Sequence, residues 1–187
     1  QLIYISYLNY KEIINQADIV VFVSCWQGMN NNDWKGMTSE AGRNRVIEVL
    51  EYAKKQNKKV IFQTIEDPSN YEVFLPIAKH ANYIFTTASE MIENYKRDTG
   101  NENVFLLDYG VNPQFHNPIG FKNEKLELTN DVFFAGSWAP RYKERCQDAR
   151  ILFDGVIQPN NNLILADRNC NISGYEVPIE YNKYIIP

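Results

Sequence analysis

Apolar residues gather along the chain in short dense runs: "DIVVFV" (18–23), "KVIFQT" (59–64), "NYIFTT" (82–87), "NVFLL" (103–107), "DVFFA" (131–135) and "LILA" (163–166). Each is rich in β-branched and aromatic residues and nearly continuous rather than alternating, which is how strands covered on both faces read. Between the runs the apolar spacing turns helical. From Ser39 to Gln56, Val46, Val49, Leu50 and Ala53 follow i, i+3, i+4, i+7 and share one stripe. In "TASE", Thr87 and Glu90 stand at capping-box spacing, and Met91, Ile92 and Tyr95 give the following helix an apolar face. A third helix is predicted from Arg141 to Asp154, with Cys146, Ala149 and Phe153 inward. Strand alternating with helix predicts an α/β fold on a Rossmann-like parallel sheet.

The alternation pauses once, at "DYGVNPQFHNPIGFKNEKLELTN" (108–130), whose two Asn-Pro steps, two glycines and polar tail suit neither regular element. The expected organisation is therefore a Rossmann-like domain over 1–117, a connector over 118–130, and an incomplete second Rossmann-like domain over 131–187. Length agrees: 187 residues, 44% hydrophobic and 22% charged, allow one good core, or one complete domain with part of another. No stretch approaches the roughly 20 apolar residues of a membrane span, and "QLIYISYLNY" lacks the charged-then-apolar order of a signal peptide. A cytoplasmic location is the resulting expectation. Opening on Gln rather than Met reads as a piece of a longer protein.

Charge narrows the partners. A net charge of −4 and a pI near 5.3, without a basic stripe, argue against nucleic acid. The lysines of "AKKQNKK" (53–59) read as a solvated helix end, where cations suit the dipole. Three widely spaced cysteines without a CxxC, and only two histidines, indicate neither a disulfide framework nor a metal site. Cys25, at the end of an apolar run, reads as a partly buried, inert thiol.

In open parallel sheets ligands collect at the carboxyl ends of the strands, so three βα loops carry the candidate chemistry. The first, "SCWQGMNNNDWKGMTSE" (24–40), offers Trp26, Asn31, Asp33 and Trp34; indoles flanked by amides and a carboxylate suit a sugar, and equally a loop pinned by its tryptophans. The second, "IEDPSNY" (65–71), sets Glu66 and Asp67 at a strand end, with Pro68 fixing the turn and Ser69 or Asn70 placed to cap a helix. Its alternatives are a general base and a plain helix-start turn. The third, "FAGSWAPRYKER" (134–145), brings Gly136 and Ser137 into a short loop ahead of Arg141. A close backbone, a helix N-terminus and a guanidinium suit a phosphate, and a tight turn with a solvated Arg explains them too.

Two long blocks, "IEDPSNYEVFLPIAKHANYIFTTASEMIENYKRDTGNENVFLLDYGVNPQFHNP" and "DVFFAGSWAPRYKERCQDARILFDGVI", together with the loop "CWQGMNNNDWKG", resemble the CgeB-type (spore maturation protein-like) glycosyltransferases over nearly the whole chain. The resemblance implies a GT-B architecture of two Rossmann-like domains facing across a cleft. It implies a nucleotide-sugar donor, a glycan or glycoprotein acceptor, hexosyl transfer, and no cofactor or obligatory metal. By that likeness Gly136, Ser137 and Arg141 face the donor diphosphate, while Glu66, Asp67 and the Trp26–Trp34 loop lie on the acceptor side. The chain stops at "YNKYIIP", short of the later strands that such enzymes use for the nucleobase, so activity is expected of a longer parent rather than of this piece. A non-catalytic Rossmann- or flavodoxin-like binding module explains the α/β alternation equally well. An epimerase-type nucleotide-sugar enzyme would need a glycine-rich dinucleotide fingerprint, which is missing.

Overall fold

The computed structural model describes residues 1–28, 33–117, 131–158 and 161–186. The chain divides into two units, Gln1–His116 and Asn117–Pro187. The predicted connector, 118–130, lies outside the described residues.

The first unit is an α/β Rossmann-like layer: α1 (Tyr10–Gln16), β1 (Ile19–Val23), α2 (Glu40–Lys55), β2 (Lys59–Gln63), α3 (Tyr71–Ala78), β3 (Tyr83–Thr86), α4 (Ile92–Thr99) and β4 (Val104–Leu106). Its four strands are parallel and lie in chain order, β1-β2-β3-β4. Phe22, Phe62, Ile84 and Val104 fall in one row across the sheet. With Val20 and Val60 they form the floor of the core, which Ile14, Val46, Leu50, Phe74, Ile77 and Tyr95 of the helices close from above.

The opposite face differs from the sequence expectation. Ile19, Val21, Val23 and Phe105 are exposed, and Ile61, Tyr83 and Phe85 only half-buried, so within this unit helices cover one face of the sheet. The cause is topological. Each crossover steps to the next strand in the same direction with the same hand, and same-handed steps in one direction drop every helix on one side. Apolar runs that read as doubly buried are here apolar on both faces and packed on one.

Local chemistry sets the helix ends. Ser39 caps α2, its Oγ accepting the Gly42 N–H at 3.1 Å, and Lys54 and Lys55 sit in the last turn. Gly100 ends α4 in the left-handed region, φ 68°. The capping box expected at Thr87 does not form. A 3₁₀ turn (Ser89–Met91) precedes α4 without a side-chain cap, and the Ala88 N–H goes instead to the Thr86 hydroxyl at 3.1 Å.

The second unit holds β5 (Asp131–Ala135), α5 (Lys143–Ile157), β6 (Asn162–Ala166) and a 3₁₀ segment, Ile179–Tyr184. The strands are parallel, and Phe153 anchors a small core with Leu163, Leu165, Val177 and Tyr181. Helix α5 starts two residues after Arg141. Phe153 is buried, whereas Cys146 and Ala149 are half-buried.

Candidate functional site at the carboxyl edges of the two sheets

The carboxyl edge of the first sheet is a row of buried hydroxyls. Ser24, Thr64 and Thr86 follow β1, β2 and close β3, each at most 1% exposed. The main chain continues the ladder through them, Ser24 N–H to the Gln63 carbonyl and Thr64 N–H to the Phe85 carbonyl, both at 2.8 Å. Ser24 Oγ then accepts the Ile65 N–H at 2.8 Å and Thr64 Oγ1 the Glu66 N–H at 3.3 Å, which fixes the start of the loop carrying both candidate carboxylates.

Those carboxylates have different surroundings. Asp67 accepts from the Thr86 hydroxyl at 2.7 Å and from the Tyr95 hydroxyl at 3.0 Å, so each of its oxygens has a protein donor. Burial pushes its carboxyl above the usual Asp range despite the hydroxyls from Thr86, Tyr95 and Thr64, which favour the charged form. Burial, reinforced by Asp67, raises the Tyr95 phenol in turn. Glu66 accepts from Asn70 Nδ2 at 3.0 Å through Oε2, and its Oε1 has no hydrogen-bond donor among the described residues. Asn70 donates from Nδ2 in that bond, and its side chain makes no cap hydrogen bond, so α3 starts without the side-chain cap that the sequence suggests. The Asp67–Pro68 peptide is cis.

The first loop begins beside Glu66. The Cys25 thiol is pushed up by burial; the Gly28 and Gln27 amides work against this and the Glu66 charge adds to it, which keeps the sulfur protonated and poorly nucleophilic at neutral pH. The two indoles do not share surroundings. Trp26 packs edge-on against Phe74, centroids 5.3 Å apart, and Trp34 edge-on against Tyr7 at 6.4 Å. Gly28, at φ +70°, lies directly beneath the Trp34 ring, where a Cβ would collide with Cδ1. Asp33 is half-buried, and Asn31 lies outside the described residues.

Sequence reasoning missed Tyr109. Its hydroxyl donates to the Ile65 carbonyl at 2.8 Å, while the residue remains 68% exposed. It sits in the irregular stretch after β4, where neither periodicity nor spacing marks one aromatic from another.

The second sheet presents its own edge. Asp167, 6% exposed after β6, accepts the Trp138 N–H at 3.0 Å and the Asn169 N–H at 2.8 Å, and so ties the β5–α5 loop to the β6 loop. Arg168 donates from Nε to Ser137 Oγ at 3.0 Å, and its terminal nitrogens make no hydrogen bond among the described residues. Arg141 is exposed, its guanidinium 4.7 Å from the Tyr142 ring centre. Gly136 has a packing reason as well, because a Cβ there would stand 2.7 Å from Phe134 Cζ. Behind the loop is a small concavity lined by Phe134, Trp138, Cys146, Phe153 and Asp167 among others. Arg168 was legible in principle: the strand-end rule that singles out Ser137 applies equally to the residues after "LILA".

Among the described residues no group of three or more His, Cys, Asp or Glu side chains could hold a metal, and no helix is long and apolar enough to cross a membrane. Comparison of the chain with protein-family models, with curated proteins and with solved structures finds no match.

Proposed function

We propose that the chain is part of a GT-B-type glycosyltransferase that moves a hexosyl group from a nucleotide-sugar donor to a hydroxyl of a glycan or glycoprotein acceptor. In this reading the first sheet's edge receives the acceptor. Glu66 Oε1 takes the hydroxyl proton as the acceptor oxygen bonds to the anomeric carbon. The bond from that carbon to the donor diphosphate breaks, and its electron pair leaves with the phosphate. The β5–α5 loop receives the diphosphate, and Arg141 and Arg168 offset the charge it gains. Asp67, with both oxygens engaged, holds the Glu66 loop rather than moving the proton.

The observation that carries the reading is Arg168. Its Nε bond to Ser137 holds a guanidinium at the loop that the sequence likeness assigns to the diphosphate, with the terminal nitrogens left for a ligand. Calorimetric titration with nucleoside diphosphates, on the product of the complete open reading frame, tests it. Binding is expected, and Arg168→Ala and Arg141→Ala should each weaken it by about 1.5–3 kcal/mol, the range for bonds to charged groups. Glu66→Gln should lower transfer by about 10²–10⁴-fold while leaving diphosphate affinity unchanged. Unaltered affinity in both arginine variants would remove the second edge from the donor site.

A further inference from the structure

Tyr109 combines two properties that rarely occur together. An exposed tyrosine ordinarily leaves both ring and hydroxyl to water and exchanges rotamers freely. Here the hydroxyl is fixed, 2.8 Å from the Ile65 carbonyl, while the residue stays 68% exposed. The bond also spans the sheet. Tyr109 follows β4 and Ile65 follows β2, with β3 between them in the strand order. Leu107 first donates its N–H to the Thr86 carbonyl at 2.8 Å, and the chain then turns over the end of β3 to deliver the ring. It arrives beside the residue that precedes Glu66.

We infer that Tyr109 is a stacking platform for the apolar face of a pyranose ring whose hydroxyls reach the Glu66 carboxylate; this rests on the glycosyl-transfer reading above. A pyranose presents C–H groups on its faces and hydroxyls around its rim. The Tyr109 ring, tied to the carbonyl of the residue before Glu66, suits the first, and the Glu66 carboxylate the second. The tied hydroxyl restricts the ring before a sugar binds, so less entropy is lost on binding. Trp26 is less suited to this role, because its indole already packs on Phe74.

The platform and a mere loop tie differ in which part of the side chain matters. Stacking needs the ring; a tie needs the hydroxyl. Saturation-transfer NMR and calorimetry on the full 187-residue chain, with methyl β-D-glucopyranoside, methyl β-D-galactopyranoside and methyl α-D-mannopyranoside as probes, separate them. At least one glycoside should bind, with the protons of one ring face receiving most of the saturation. Tyr109→Ala should weaken that binding about tenfold and Tyr109→Phe less than about threefold, both with the thermal midpoint of the wild type. Failure of all three glycosides to bind the wild-type chain overturns the inference. So does wild-type affinity in Tyr109→Ala, or an equal loss in both variants. Diphosphate binding plays no part in this experiment, so its failure would leave the donor reading standing, and loss of the donor reading would leave the glycoside result intact.

Discussion

At the scale of single residues, the adjacent carboxylates Glu66 and Asp67 divide their work by what already occupies their oxygens. Asp67 is spoken for by Thr86 and Tyr95, two side chains at 0% exposure, and so joins the ends of β2 and β3 to α4. Truncation to Asp67→Ala would leave the Tyr95 hydroxyl buried without its acceptor and the Thr86 hydroxyl with only a long contact to the Ala88 carbonyl at 3.4 Å, at a cost of about 1–3 kcal/mol in chemical denaturation. The pH dependence follows from the direction of the shift. Because the folded carboxyl titrates above the unfolded one, the folded state binds more protons between those two values, and stability falls as pH rises through the folded pKa and then levels off. The destabilisation caused by Asp67→Ala is therefore expected to be largest in acid and to shrink towards neutral pH. A penalty that grows with pH instead would mean that Asp67 is held as a favourably solvated anion. From the sequence the pair was legible as a strand-end site, but not its division of labour, since the partners Thr86 and Tyr95 lie 19 and 28 residues further along.

At the scale of elements, periodicity was most informative where one helix stripe meets one sheet face, and least where a side-chain hydrogen bond competes with a local motif. Val46, Val49, Leu50 and Ala53 are all buried as the spacing predicts. Neither Thr87 nor Asn70 makes a side-chain cap. The strand-end hydroxyl of Thr86 accepts the Ala88 N–H ahead of the 3₁₀ turn, and Asn70 donates from Nδ2 to Glu66. Glycine is the residue type whose role the sequence leaves most open, since lack of a Cβ serves a ligand and a packed ring alike. Gly136 lies against Phe134, whose ring packs on Phe153 at 5.1 Å. Gly136→Ala is accordingly expected to cost about 1–3 kcal/mol through overpacking, visible as a lowered thermal midpoint without any ligand present. An unchanged midpoint with weakened diphosphate binding would assign Gly136 to ligand approach alone.

At the scale of the whole molecule, the sequence announced a parallel sheet but not how many of its faces the unit itself covers. A run such as "DIVVFV" has apolar residues at both parities, and apolar residues at both parities are compatible with burial on two sides or with an apolar side left open. Strand order decides between them, and order depends on long-range pairing that no local pattern encodes. In the first unit the order β1-β2-β3-β4 puts the crossovers on one side, leaving Val21 at 50% exposure while Val60 is at 0% on the neighbouring strand. The same substitution on the two strands should therefore give different answers. Val60→Thr places a hydroxyl in the fully buried hydrophobic core and should cost about 1–3 kcal/mol in urea denaturation. Val21→Thr keeps the β-branched shape and turns its hydroxyl to solvent, so it should stay within about 0.5 kcal/mol of the wild type. If Val21→Thr proves as costly as Val60→Thr, the face bearing Ile19, Val21, Val23 and Phe105 is covered in solution. The order of the strands would then no longer describe the whole packing of this sheet.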